Sequence, residues 1–177
     1  METEEDPPPD LQKLSEELRE KLANSPNHWN DPDFPKSGWV CTDITDLGAP
    51  RGICQMCGYQ IIRYVHHMYH AETRMQLDCG CICAGKLEGD IDKARKRESD
   101  FKSKEQRKIN FMKKKWKLSS AGNEWLKIKN HFIDIFQYKK TGKWNFVIDD
   151  VFNKTVYDTR EECIEAAFYA IDDLLNK

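Results

Sequence analysis

No apolar run in this 177-residue chain approaches the roughly 18 residues that a membrane-spanning helix needs, so the chain is expected not to cross a membrane. The first residues contain no apolar secretory segment, and the seven cysteines are an odd number. Neither fits a secreted disulfide framework, and a reducing, cytoplasmic setting is the expectation. Net charge is also scarce, at −2. That balance conceals a segregation: from Lys93 to Lys117 twelve Lys or Arg face Glu98, Asp100 and Glu105, a surplus of +9 that leaves −11 for the rest. Hydrophobic content of 39% beside 33% charged residues describes a soluble protein of one or two small domains.

What the chain has is sulfur in one place. Arg51-Gly-Ile-Cys54-Gln-Met-Cys57-Gly-Tyr is followed about twenty residues later by Leu77-Asp-Cys79-Gly-Cys81-Ile-Cys83-Ala. Cys54 and Cys57, with a two-residue gap and a trailing Gly58, have the spacing of a zinc knuckle, whose tight turn aims both thiolates at a soft tetrahedral ion. Glycine supplies the positive φ of that turn. For the second pair the reading takes Cys81 and Cys83, turned to one side at a bend around Gly80 ahead of a short helix from Ala84 to Leu87. Cys79 is then spare, and His66, His67 and His70 compete for a ligand position, since imidazole also binds zinc. A catalytic site of three histidines fits poorly, because nothing places those rings on one helical face with a vacant fourth position. The competing reading is a redox or merely buried set of thiols.

The fold class expected is α+β in four parts. Residues 1–38 comprise an acidic, proline-bearing tail, a helix capped by Asp10 with Leu11, Leu14, Leu18 and Leu22 in one stripe, and a linker. That stripe docks on its own domain or meets a protein partner. Residues 39–90 form the zinc module, in which a knuckle, a hairpin of Gln60–His66 with Met75–Leu77, and a helix make a treble-clef-like arrangement, with Trp29, Phe34 and Trp39 covering its core. Residues 91–122 carry a basic helix from Ile91 to about Leu118, with Ala94, Phe101, Ile109, Met112 and Trp116 along one face. Residues 123–177 read as a three-stranded antiparallel sheet, Ile128–Tyr138, Lys143–Ile148 and Lys154–Tyr157, packed on a closing helix. Thr159 and Glu162 form its capping box, and Cys163 on its apolar face is core rather than chemistry. The outward Glu161, Glu162, Glu165, Asp172 and Asp173 argue against that face touching nucleic acid.

The knuckle run, Ile62-Arg-Tyr-Val-His66, His70, Gly80-Cys-Ile-Cys-Ala84, the basic segment through Trp116, Gly122-Asn123 and Gly142-Lys-Trp144 together resemble a family of small uncharacterised bacterial, plasmid and phage proteins. The likeness covers most of the chain after Trp39 and implies a zinc module with ligands at Cys54, Cys57, Cys81 and Cys83. It implies no activity, and Cys79 stands where that family's pattern has an apolar residue. More distantly, the knuckle before a strand ending at His66-His67 resembles HNH endonucleases, in which such a His activates water beside a divalent ion. Their following Asn and His are missing, and Lys86 stands where a helix-borne ligand is wanted.

These features point to a zinc-stabilised nucleic-acid-binding or regulatory accessory protein without catalytic activity. Lys102, Lys104, Arg107, Lys108, Lys113, Lys114, Lys115 and Lys117 are the expected contacts to DNA or RNA phosphates, interleaved with Phe101, Phe111 and Trp116. Those cations can instead form a solvated face that meets the chain's own acidic segments. The alternatives in function are an interaction module, such as an inhibitor or adaptor docking on a nucleoprotein complex, and an HNH-like metal-dependent endonuclease.

Overall fold

The structure, a computed structural model, describes residues 15–176. It is an α+β protein with antiparallel sheets, in two compact units that divide between Lys102 and Ser103. Among the described residues no helix is long and apolar enough to cross a membrane. Asp10, Leu11 and Leu14 lie outside the described residues, as does the acidic tail.

The first unit opens with α1 (Glu16–Asn24), capped by Ser15, whose hydroxyl accepts from the Leu18 amide. Leu18 is buried, whereas Leu22 is only half-buried. After a 3-10 turn at His28–Asn30 come β1 (Trp39–Asp46), the short pair β2 (Gly52–Ile53) and β3 (Ile61–Ile62), then β4 (Tyr64–His70) and β5 (Met75–Cys79). Strands β1, β4 and β5 form one sheet with β4 central, and β1 is bulged between Cys41 and Asp43. The expected strand from Gln60 to His66 is thus split at Arg63, which lies between β3 and β4 and whose carbonyl accepts from the Leu47 amide. Helix α2 (Cys81–Glu88) follows β5 directly and ends at Gly89 in the left-handed conformation. Helix α3 (Ile91–Met112) then starts against it: a Cβ on Gly85 would lie 2.6 Å from Ile91 Cα, so only glycine permits this approach. Trp39, Met56, Met68, Leu77 and Leu87 build the core together with four cysteines, and Trp29 and Phe34 pack on it as expected.

The second unit is a five-stranded meander: β6 (Lys117–Leu118), β7 (Glu124–Ile128), β8 (His131–Gln137), β9 (Trp144–Ile148) and β10 (Val151–Phe152) lie in sequence order. Helix α4 (Arg160–Leu175) starts from the expected Thr159–Glu162 capping box. Its Cys163, Ala167, Phe168 and Ile171 bury against Ile133, Ile135, Phe146 and Ile148 of the sheet, with Phe111 from the end of α3. Two strands differ from those expected. The first expected strand begins at His131, because Lys129 at φ 52° turns the chain and makes β7 a separate partner. The third, Lys154–Tyr157, reduces to one bridge from Tyr157 to Trp144, because Asp149 and Asp150, both at positive φ, form a tight turn that brings Val151 and Phe152 back first.

The basic helix is also shorter than its periodicity suggests. It ends at Met112 instead of Leu118, because Phe111 and Trp116 turn into the second unit's core, edge to face at 6.0 Å, and the chain between them unwinds. Phe111 is therefore core, not an aromatic among exposed cations, and Ile109, expected on the apolar face, is exposed.

Candidate metal centre

The turn Cys54-Gln-Met-Cys57-Gly58 is the tip of the β2–β3 hairpin. It is closed by the Gly58 amide donating to the Cys54 carbonyl at 2.8 Å and the Cys54 amide donating to the Gln60 carbonyl at 2.9 Å. Gly58 sits at φ 75°, and a Cβ there would come within 2.4 Å of the Pro26 carbonyl oxygen. Two further hydrogen bonds set this tip beside the end of β5. The Gln55 amide donates to the Asp78 carbonyl, and the Asp78 amide donates to Gln55 Oε1, each at 2.8 Å. Cys79, the next residue, is thereby delivered to the tip.

Cys54, Cys57 and Cys83 form a buried group whose sulfurs all lie within 4.8 Å of one another, a set that can hold a metal ion. In a tetrahedral thiolate site with metal–sulfur bonds of about 2.3 Å the sulfurs stand about 3.8 Å apart, so little movement would close it. The Cys79 thiol lies within hydrogen-bonding reach of Cys54, and both are fully buried. Thiols of Cys57, Cys79 and Cys83 all point at the Cys54 sulfur and hold its thiolate form far below the ordinary thiol range, while the same contacts push Cys79 and Cys83 up. Trp29 Nε1–H donates to Cys83 Sγ at 3.4 Å, and the Lys86 ammonium lies 5.8 Å above that indole ring. Trp29 thus gives Cys83 a hydrogen-bond donor from outside the cluster.

Cys81 is not part of this group, which corrects the expected second pair. The expected pair needs a bend around Gly80 and a helix only from Ala84. Helix α2 begins at Cys81, and side chains two apart on a helix point to different sides. Cys83 turns to the knuckle, whereas Cys81 meets His66 and Glu98, their donor atoms within 4.8 Å of one another. Cys79, expected to be spare, lies beside Cys54, outside the group of three sulfurs.

None of the three histidines joins the sulfurs either. His66 is fully buried, with Nε2 2.9 Å from Glu98 Oε2 and Nδ1 3.4 Å from Arg97 and 3.9 Å from Cys41 Sγ. A guanidinium can only donate, so Nδ1 accepts and Nε2–H donates to Glu98. Arg97 also grips Glu88 with two bonds, at 3.0 and 2.7 Å, and Glu88 accepts from the Cys41 amide. Burial pushes the Glu98 carboxyl up, but bonds from His66 and Lys102 outweigh it and hold it low. Burial, aided by the Glu98 charge, raises the Cys81 thiol to about 11, so it is a poor nucleophile at neutral pH. His67 bridges Asp78 and Thr45, each at 2.8 Å. His70 contacts the Ser37 carbonyl at 3.0 Å and accepts from the Thr73 amide.

The cations expected to meet phosphate divide into two sets. Lys102 pairs with Glu98, Lys104 with Asp173 at 3.8 Å, and Lys108 with Glu165. Arg107 grips the buried Asp172 with two bonds, at 2.7 and 2.9 Å. Glu165, Asp172 and Asp173 of α4, expected to face outward, thus pair with three of these cations. Lys113, Lys114, Lys115 and Lys117 lie past the end of α3 and are exposed, with no ion pair among the described residues. The network of Glu88, Arg97 and Glu98 and the Trp29 contact were not legible beforehand, since each pairs residues from separate elements.

Comparisons with protein-family models, curated proteins and solved structures give no match.

Proposed function

We propose that Cys54, Cys57, Cys79 and Cys83 hold one zinc ion in a treble-clef-like module, and that the chain is a nucleic-acid-binding accessory protein without a catalytic centre. The observation that carries the metal reading is the burial of all four sulfurs, none more than 5% exposed, which leaves no open position for substrate or water. The knuckle on a hairpin, the β4–β5 hairpin and a helix entering at its first turn follow one another in the order a treble clef requires. For nucleic acid the support is the exposed run Lys113, Lys114, Lys115 and Lys117, free to meet a phosphate backbone.

Metal analysis of the purified protein tests the first part. Wild type and Cys81→Ser should carry one zinc per chain, and Cys79→Ser should lose it. Zinc kept by Cys79→Ser and lost by Cys81→Ser would overturn the ligand set. For the second part, replacing Lys113, Lys114 and Lys115 by Gln should flatten the slope of log affinity against log salt by up to about 3 units on duplex DNA.

An interaction module is the second reading. Two observations favour it: Lys104, Arg107 and Lys108 already pair with the chain's own acids, and a cleft of about 900 Å³ beside α1 has Leu18, Leu47, Ile62 and Leu77 in its lining among charged residues such as Glu17, Lys21, Arg51 and Asp78. An HNH-like nuclease has less support, because His66 is fully buried and both of its ring nitrogens are engaged, by Glu98 and Arg97.

A further inference from the structure

The face of the five-stranded sheet that α4 does not cover is aromatic and lysine-bearing. Residues directly opposite each other in an antiparallel pair share a face. The pairs Lys117 with Trp125, Lys127 with Phe132, Phe136 with Asn145 and Val147 with Phe152 therefore lie on one side. They alternate along the strands with Ile133, Ile135, Phe146 and Ile148, which bury under α4. Phe152 is 64% exposed and Phe132 46% exposed. The rings form two adjacent pairs, Trp125 with Phe132 at 6.2 Å and Phe136 with Phe152 at 6.2 Å. Lysines stand over the first pair: Lys117 Nζ is 4.8 Å from the Trp125 ring centre and Lys127 Nζ 5.0 Å from that of Phe132.

Cross-strand packing explains why aromatic residues neighbour one another, but not why they are left in water beside so much like charge. From Lys113 to Lys143 the chain has nine lysines and two acids, Glu124 and Asp134, for a net +7. Glu124 is engaged by two bonds from Arg160, so it offers little repulsion to an anion. Asp134 lies opposite both Trp125 and Val147 within the face, and the charge of Asp150 acts on it from the turn between β9 and β10. A polyanion with flat apolar faces matches this surface: its phosphates need the lysines and its bases need the rings. A duplex hides base faces in its own stack, whereas a single strand exposes them.

We propose that this face binds single-stranded nucleic acid, with bases stacking on Trp125, Phe132 and Phe152 and phosphates paired with Lys117, Lys127 and Lys113–115. The lysines entering β6 sit at the edge of the sheet next to the strand of Trp125, so backbone and base contacts come from one continuous surface. From the strand of Trp125 to that of Phe152 is three strand spacings, about 14 Å, which is room for more than one base. The ammonium groups now over the rings are on flexible stems and move to phosphate when a base takes the ring face. The inference rests on the nucleic-acid reading above and names the form of nucleic acid and the surface.

The test measures binding of the full, zinc-loaded chain to a fluorescently labelled oligothymidylate of twelve nucleotides and to the same strand in duplex form, at low salt. Single strand should bind at least tenfold tighter than duplex. Trp125→Ala and Phe152→Ala should each weaken the single-strand complex about fivefold or more while changing duplex binding less than twofold, Trp125→Phe should restore most of the affinity, and Asp134→Asn should tighten binding. Phe152 is on an exposed edge strand, so its variant tests the idea even if Trp125→Ala folds poorly. Equal or tighter duplex binding, or single-strand affinity unmoved by Trp125→Ala and Phe152→Ala, overturns the proposal while leaving a backbone-binding protein. No binding of either form at low salt overturns the nucleic-acid reading itself and leaves this face to a protein partner.

Discussion

In the unit that ends at Lys102 the buried centre is sulfur: Cys54, Cys57, Cys79 and Cys83 occupy positions that aliphatic side chains would fill in an ordinary core. The unit from Ser103 on has one buried cysteine, Cys163, set among Ile133, Ile135, Phe146, Ile164, Phe168 and Ile171. Thiols packed against thiols gain little from burial, and burial raises the cost of ionising them. Branched and aromatic side chains stabilise by leaving water, at about 25 cal/mol per Å² of apolar surface. On the proposed zinc site, two small units of one chain depend on different things, one on an ion and the other on packing.

Removing the proposed zinc should have the largest effect. A strong chelator, or Cys54→Ser, should abolish ordered structure in the first unit, since a structural zinc contributes an apparent binding free energy of about 10–16 kcal/mol, comparable to the whole stability of a domain. Amide exchange should become fast in β4 and β5 and stay slow in β8 and β9. Exchange that is unchanged after verified metal loss would mean the sulfur centre does not hold the unit together.

The converse disruption is Phe168→Ala. Its ring is 3% exposed and packs at 5.6 Å from Phe111, so the substitution should cost the second unit about 3–5 kcal/mol in denaturant unfolding. Zinc content should be untouched. Loss of zinc in that variant would show that the two stabilities are one.

A smaller effect follows from acid. Arg107 holds the Asp172 carboxyl below the usual carboxylate range, through direct hydrogen bonds that outweigh burial. A group whose folded pKa is depressed contributes stability that is present above its unfolded value, near 3.9, and is lost as pH falls through the folded value. The second unit should thus weaken below about pH 4, and Asp172→Asn should remove that part of the pH dependence. The cost at neutral pH should be about 1–2 kcal/mol, the smaller because the Arg107 side chain is 45% exposed. A melting profile against pH identical in Asp172→Asn and wild type would assign the acid sensitivity to another carboxylate.

Local pattern was enough for the features whose cause is local. The spacing of Cys54, Cys57 and Gly58 specifies a turn, Thr159 and Glu162 specify a helix start, and the apolar period after them specifies its buried face. Cys79 and Cys81 could not be told apart that way. Both adjoin the same Gly80, and only where α2 begins decides which sulfur faces the knuckle. The lysines divide for a similar reason. Lys104 and Lys108 look the same in sequence as Lys113 and Lys115, but Asp173 and Glu165 approach the first two from α4, some sixty residues along the chain. Charge, spacing and period are written in the sequence, because they depend on neighbours along the chain. Which sulfur meets which, and which cation is neutralised, depends on elements brought together by packing, and only the tertiary structure decides it.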